Sequence, residues 1–113
     1  MVPSLSIVIP VFNRTQLLVH PLRSLRAERQ RNPELDWEVI VVDDGSTEDV
    51  GAALAPFSDL PLRLHRQANR GLVAARLTGL ELARHEAVLF LDGDDLVGAG
   101  KFSQQLPALA DAE

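Results

Sequence analysis

Trp37-Glu-Val-Ile-Val-Val-Asp-Asp-Gly-Ser46 is the stretch whose reading decides the fold. Trp37 to Val42 is short, largely β-branched and apolar on both faces, the signature of a strand buried in a parallel sheet with helices over both sides. It runs directly into two carboxylates and a glycine, so a polar turn sits at the strand's carboxyl end. Ser46, with Asp49 three residues later, reads as a capping box and predicts a short helix to about Phe57.

The same grammar extends in both directions. Upstream, Leu5-Ser-Ile-Val-Ile-Pro-Val11 is a second strand of this kind, and Asn13-Arg14-Thr15 supplies a turn and a helix start. Leu17, Leu18, Leu22 and Leu25 have helical spacing that carries on to Arg31. Pro21 predicts a kink, or a restart with Pro21 in a first turn, and Asn32-Pro33 ends the helix. Downstream, Leu62 to Arg66 alternates with period two and predicts a half-exposed strand nearer an edge. Leu72 to Arg84 predicts the longest clean helix, with an apolar face of Leu72, Ala75, Leu80 and Ala83. Ala87 to Leu91 is a fourth strand, followed at once by Asp92-Gly-Asp-Asp95, and Lys101 to Leu109 has amphipathic helical character. Strands and helices alternate throughout, which predicts an α/β, Rossmann-like fold with a mainly parallel sheet of about four strands, right-handed crossovers and helices on both faces.

Composition narrows the functions open to such a domain. The chain has 113 residues, enough for one domain, and a formal net charge of −5, which gives nucleic acid no electrostatic footprint. It has no cysteine, so disulfides and thiolate metal sites are excluded. The apolar run Ser6 to Phe12 is far shorter than the ~20 residues of a membrane span and lacks the flanks of a signal peptide. A soluble, cytoplasmic chain is expected.

The polar residues at Asn13, at Asp43-Asp44 and at Asp92 to Asp95 each follow a strand directly. In an open parallel sheet the carboxyl ends of the strands form the ligand crevice, so three separate positions converge on one rim. Asp92, Asp94 and Asp95 lie within four residues; carboxylates this close oppose one another's ionisation unless a cation intervenes. Oxygen ligands suit Mg²⁺ or Mn²⁺, which are held by one or two carboxylates together with substrate phosphates. A solvated acidic turn is the plainer alternative, and the second acidic pair on the same rim weighs against it. Leu96 and Ser103 stand where an EF-hand loop starting at Asp92 needs ligands. Asp95 and Phe102 break a P-loop ending at Lys101, and no G-x-G-x-x-G follows a strand. In the other constellation, Asp44 is the member suited to a base imide or ribose hydroxyl, while Ser46 and Asp49 read as caps.

Four segments, Ser6-Ile-Val-Ile-Pro-Val-Phe-Asn-Arg14, Glu38-Val-Ile-Val-Val-Asp-Asp-Gly-Ser-Thr47, Asn69-Arg-Gly71 with Ala75-Arg76, and Val88-Leu-Phe-Leu-Asp-Gly-Asp-Asp95, resemble the successive motifs of the inverting family 2 glycosyltransferases. They stand in family order and spacing. The resemblance implies a GT-A fold and binding of a nucleoside-diphosphate sugar, with a uracil base expected. It implies that Pro10, Val11, Phe12 and Asn13 bracket the base, with Phe12 able to stack on it, and that Asp44 recognises it. It implies that Gly71 and Arg76 lie beside the nucleotide and diphosphate, and that Asp92-Gly93-Asp94 is a D-x-D motif. Asp94 is then the metal ligand, with Asp92 and Asp95 in support, for a Mn²⁺ or Mg²⁺ ion that offsets charge on the departing diphosphate.

Two departures bear on activity. Leu77 stands where the family often has Asn. The general base that deprotonates the acceptor hydroxyl comes, in similar enzymes, from a segment well past the D-x-D motif, and Asp111 and Glu113 are poor candidates for it. The expectation is a single donor-binding domain over residues 1–113, lacking the acceptor-binding half and any catalytic residue of its own, with a sheet edge left open to self-association. A non-catalytic nucleotide-binding module is the alternative. A signalling receiver domain fails on order, since its acidic pair follows the first strand and here the pair follows the second.

Overall fold

The computed structural model describes residues 4–31, 36–85 and 87–91. Four parallel strands, β1 (Ser4–Val11), β2 (Asp36–Asp44), β3 (Leu62–Gln67) and β4 (Ala87–Phe90), pair in the order β3-β2-β1-β4. The order reverses at β1: the chain steps outward to β2 and β3, then returns to place β4 on the other side. Such a reversal opens a crevice at the carboxyl ends of the strands. Leu91 N–H donates to the Val8 carbonyl at 2.9 Å, carrying the pairing one residue past β4.

Strand alternation gives the sheet two unlike faces. Leu5, Ile7, Ile9 and Val11 of β1, with Trp37, Val39 and Val41 of β2, form one large core with Leu18, Leu22, Leu25, Val50, Leu54 and Phe57. Those partners come from a 3₁₀ turn at Thr15–Leu18, from α1 (Val19–Arg31), from α2 (Val50–Leu54) and from a second 3₁₀ turn at Ala55–Phe57. Trp37 is buried there, as core packing requires. Pro21 falls in the first turn of α1, which starts at Val19 after the 3₁₀ turn, so its missing N–H costs no hydrogen bond and the restart is what the chain adopts.

The opposite face carries α3 (Leu72–Leu82). Its apolar centre is small, built from Val8, Ile40, Val42 and Ala75. The predicted packing face of this helix is half right: Ala75 is in that centre and Ala83 packs against it, but Leu72 and Leu80 do not. Ala75 and Gly79 are buried, while Leu72 and Leu80 are 50% and 48% exposed. A Cβ at Gly79 would collide with Val8 Cγ1 and lie 3.1 Å from Val8 Cβ, so only glycine lets the helix backbone come down onto β1. Large side chains cannot occupy that contact and turn outward. The helix also ends at Leu82, two residues before the predicted Arg84.

The capping box is a second correction. Asp49, not Ser46, caps α2: its side chain accepts from Ala52 N–H at 3.0 Å. Ser46 is engaged elsewhere, accepting from Asn13 N–H at 2.7 Å. β3 lies at the sheet edge with half-exposed residues, as its alternation predicts. The acidic run at 92–95 and the predicted helix at 101–109 lie outside the described residues.

Sequence reading missed a buried polar network at the amino end of the α3 face. Ser6 and Glu38, partners across β1 and β2, are both buried. Ser6 Oγ donates to Glu38 Oε2 at 2.8 Å, and Arg63 Nη1 donates to Glu38 Oε1 at 2.9 Å. Arg84 N–H reaches Glu38 Oε2 at 2.7 Å, and His85 N–H reaches Ser6 Oγ at 3.2 Å. Burial would raise the Glu38 carboxyl, but the bonds from Arg84, Ser6 and Arg63, with the Arg63 charge, outweigh it and hold the group below its ordinary value. These bonds anchor the α3–β4 connection to the sheet.

Candidate nucleotide pocket

At the carboxyl rim, on the α3 face, Pro10, Val11, Phe12, Asp44, Asn69, Gly71, Leu72 and Ala75 line a pocket of about 240 Å³. Three elements build it. β1 ends in Pro10 and Val11 and releases Phe12, which is 52% exposed. β2 ends in Asp44, which strand alternation turns to the α3 side while its neighbour Asp43 turns to the other. The third wall is the entry to α3.

Asp44 is buried and organises that entry. Its Oδ1 accepts from Gln67 Nε2 at 3.1 Å and from Arg70 N–H at 2.9 Å, and its Oδ2 accepts from Gly71 N–H at 2.9 Å. Burial alone would raise the carboxyl. The bonds from Gln67, Arg70 and Gly71, with the Arg70 charge, prevail and hold it below its ordinary value, so it is a carboxylate at neutral pH. A carboxylate has about four acceptor positions; among the described residues three are used, and the fourth is on Oδ2.

Gly71 caps α3 at φ 97° and ψ 167°, a conformation essentially restricted to glycine, and no side chain caps the helix start. The first-turn amides of α3 therefore stand beside the pocket with the positive end of the helix dipole.

Of the residues expected at the site, Pro10, Val11, Phe12, Asp44 and Gly71 come together around this pocket. Asn13 and Arg76 do not line it. The Asn13 side chain is turned to the loop after β2, where its Oδ1 accepts from Thr47 N–H at 3.0 Å and from Thr47 Oγ1 at 3.1 Å. Arg76 lies half-buried on α3. Asp92, Gly93 and Asp94 lie outside the described residues. Asn69, Leu72 and Ala75 also line the pocket but were not among the expected site residues. Asn69 and Ala75 stand in the Asn-Arg-Gly and Ala-Arg motif and were within reach, while Leu72 required knowing which way α3 faces. Among the described residues no group of three or more His, Asp or Glu side chains could hold a metal ion, and no helix is long and apolar enough to cross a membrane.

The profile of Glycosyl transferase family 2 matches residues 6–113. The chain belongs to that family. EpsJ of Bacillus subtilis, described as an uncharacterized glycosyltransferase, is 34% identical over 106 residues, covering 92% of this chain and 30% of EpsJ. Among solved structures, TarS residues 1–349 of S. aureus in complex with UDP-GlcNAc superposes with a TM-score of 0.83 at 27% identity, covering 96% of this chain and 31% of that one. The mannosyltransferase PcManGT of Pyrobaculum calidifontis, in complex with GDP-Man and Mn²⁺, gives a TM-score of 0.79 at 26% identity, covering 100% of this chain and 33% of that one. The sheet of this family 2 member is thus the GT-A sheet of its structural neighbours. The chain spans between about a sixth and a third of the length of the curated relatives it matches first.

Proposed function

We propose that this family 2 chain is the donor-binding domain of an inverting glycosyltransferase, holding a UDP-sugar in the Pro10–Phe12, Asp44 and Gly71 pocket with a Mn²⁺ or Mg²⁺ ion on Asp94 and Asp92. The observation that carries the reading is the pocket itself. Pro10, Val11, Phe12, Asp44 and Gly71, five of the residues that the resemblance assigns to the nucleotide, line it at the carboxyl rim.

The base and the diphosphate of a nucleoside diphosphate each have a counterpart. Phe12 offers an aromatic face to the base. The remaining acceptor position on Asp44 Oδ2 suits an imide N–H such as that of uracil. The uncapped start of α3 suits a diphosphate, since exposed first-turn amides and the helix dipole both favour anions, and Arg76 lies one turn further along. Relatives with nucleotide sugars bound, TarS with UDP-GlcNAc and PcManGT with GDP-Man and Mn²⁺, support the ligand class.

The donor chemistry fits the ion. Asp92, Asp94 and Asp95 supply only carboxylate oxygens, the set preferred by Mg²⁺ and Mn²⁺. β4 pairs with β1, and Leu91, bonded to Val8, is the residue that precedes the acidic run in the sequence. The ion would offset charge on the departing diphosphate. The residues that hold the acceptor and remove its proton are proposed to lie in further polypeptide, so the 113-residue chain binds donor and transfers no sugar. Among the described residues β4 is an edge strand, and its outer backbone groups are proposed to pair with a second copy.

Titration calorimetry with UDP tests the reading. Binding is expected with Mn²⁺ present, and lost or strongly weakened without it or in Asp94→Ala. Equal binding with and without metal overturns the metal assignment; no binding under either condition overturns the donor-site reading. Measurable sugar transfer by this chain would refute its incompleteness, and a strictly monomeric light-scattering profile at high concentration would refute edge pairing.

A further inference from the structure

The segment leaving β1 is gripped from the side away from the pocket. Asn13 and Arg14 both have positive φ, 55° and 56°. Asn tolerates that region and Arg seldom enters it. Such backbone persists only where surrounding contacts over-determine it, commonly at ligand clamps. Here the contacts come from the loop between β2 and α2, more than thirty residues away in sequence. Asn13 N–H donates to Ser46 Oγ at 2.7 Å, and Asn13 Oδ1 accepts from Thr47 N–H, from Thr47 Oγ1 and, at 3.4 Å, from Glu48 N–H. Thr15 adds two bonds, its N–H and Oγ1 donating to Glu48 Oε1 at 2.8 Å and 2.9 Å. Ser46 N–H in turn donates to Asp43 Oδ1 at 2.9 Å, fixing the loop to the end of β2.

None of these groups borders the nucleotide pocket. Ser46, Thr47 and Glu48 line a separate polar depression, together with Asp43 on the other face of β2. Phe12, one residue before Asn13, does border the pocket, and its exposed ring has little packing of its own to hold it. The backbone position of Phe12 is therefore set from behind.

We infer that Asn13 is a positioning residue: by clasping Ser46, Thr47 and Glu48 it holds the Phe12 ring at the pocket mouth, and it does not itself touch the nucleotide. The inference rests on the reading of the pocket as a base site, and it reassigns Asn13 from ligand contact to support. A stacking ring helps binding most when it is already in place, because no ordering entropy is then lost on binding.

Two measurements on the 113-residue chain test this. The first is calorimetric titration of UDP with Mn²⁺ into wild type, Phe12→Ala, Asn13→Ala and the double variant. Each single variant is expected to bind roughly tenfold more weakly, and the double variant no more weakly than Phe12→Ala. Losses that multiply towards about a hundredfold would show that Asn13 contacts the nucleotide directly and overturn the inference. The second is NMR relaxation and amide exchange without nucleotide. Asn13→Ala should loosen Phe12 and speed exchange of the Thr47 amide, while Asn13→Asp, which keeps the Oδ acceptor and tolerates positive φ, should restore both. A Phe12 as ordered in Asn13→Ala as in wild type also overturns the inference. A wild-type chain that ignores UDP, yet loosens at Phe12 in Asn13→Ala, overturns the base-site reading and leaves the clasp standing.

Discussion

The two faces of the sheet divide the work of the molecule. Beneath α1 and α2, β1 and β2 present Leu5, Ile7, Ile9, Val11, Trp37, Val39 and Val41 to one continuous apolar core. Beneath α3, the same strands present Ser6 and Glu38 at one end, Val8, Ile40 and Val42 in the middle, and Pro10 and Asp44 at the other. The first face holds the larger apolar cluster, and apolar burial is the dominant favourable term in folding. The second is apolar only at its centre, with a hydrogen-bonded carboxylate towards each end, and the pocket lies on it. Adjacent residues show the division at its sharpest. Asp43 accepts from Ser46 N–H three residues on, while Asp44 reaches across to Gln67, Arg70 and Gly71.

The largest effect should come from the first face. Ile9→Ala is expected to lower stability by about 2–5 kcal/mol, whereas Leu80→Ala on the outer side of α3, already 48% exposed, should stay within about 0.5 kcal/mol. Urea unfolding of the two variants measures the difference directly, and equal shifts in midpoint would erase the contrast between the faces.

A smaller effect should follow at the α3 contact. Gly79→Ala forces a Cβ into the Val8 side chain and is expected to cost about 1–3 kcal/mol through overpacking. Combining it with Val8→Ala should cost less than the sum of the two single losses, because the second change vacates the space the first one needs. Strict additivity in that cycle would mean the helix does not rest on β1 at Gly79.

The smallest effect should be in acid. Glu38 is held below its ordinary value in the folded chain, so the unfolded chain binds that proton more readily. The stability it contributes is fully present above the ordinary carboxyl range and is lost as pH falls through the lowered folded value. Glu38→Gln should therefore be less stable at neutral pH and show a flatter decline below about pH 4.5. Parallel pH profiles for variant and wild type would remove Glu38 from the acid response of this face.

Much of the fold was legible because continuous apolar runs of strand length have few other uses. The runs at Leu5–Val11 and Trp37–Val42 gave β1 and β2 almost to the residue, and the half-exposed alternation of Leu62–Arg66 placed β3 at an edge. The α3 face was misread at Leu72 and Leu80 because periodicity registers which residues are apolar and not how closely a helix must approach. Gly79, with no side chain, marks the contact that Leu72 and Leu80 were expected to make. Ser46 was misread for a related reason. A local capping rule sees three residues ahead, and the partner that claims this hydroxyl is Asn13, 33 residues back.

The pocket divides in the same way. Its residue types, an aromatic after β1, a carboxylate after β2 and a glycine before α3, were all visible in the motifs. By itself the sequence determined the alternation of strands and helices, the polar ends of the strands and the family, because these depend on local pattern and on residues next to one another in the chain. Only the tertiary structure decided that Asp44 holds the α3 entry, that Asn13 faces away from the pocket and that Gly79 is where α3 meets β1. Each of these depends on which atoms, tens of residues apart, compete for the same hydrogen bond or the same volume, and no local pattern records the outcome of that competition.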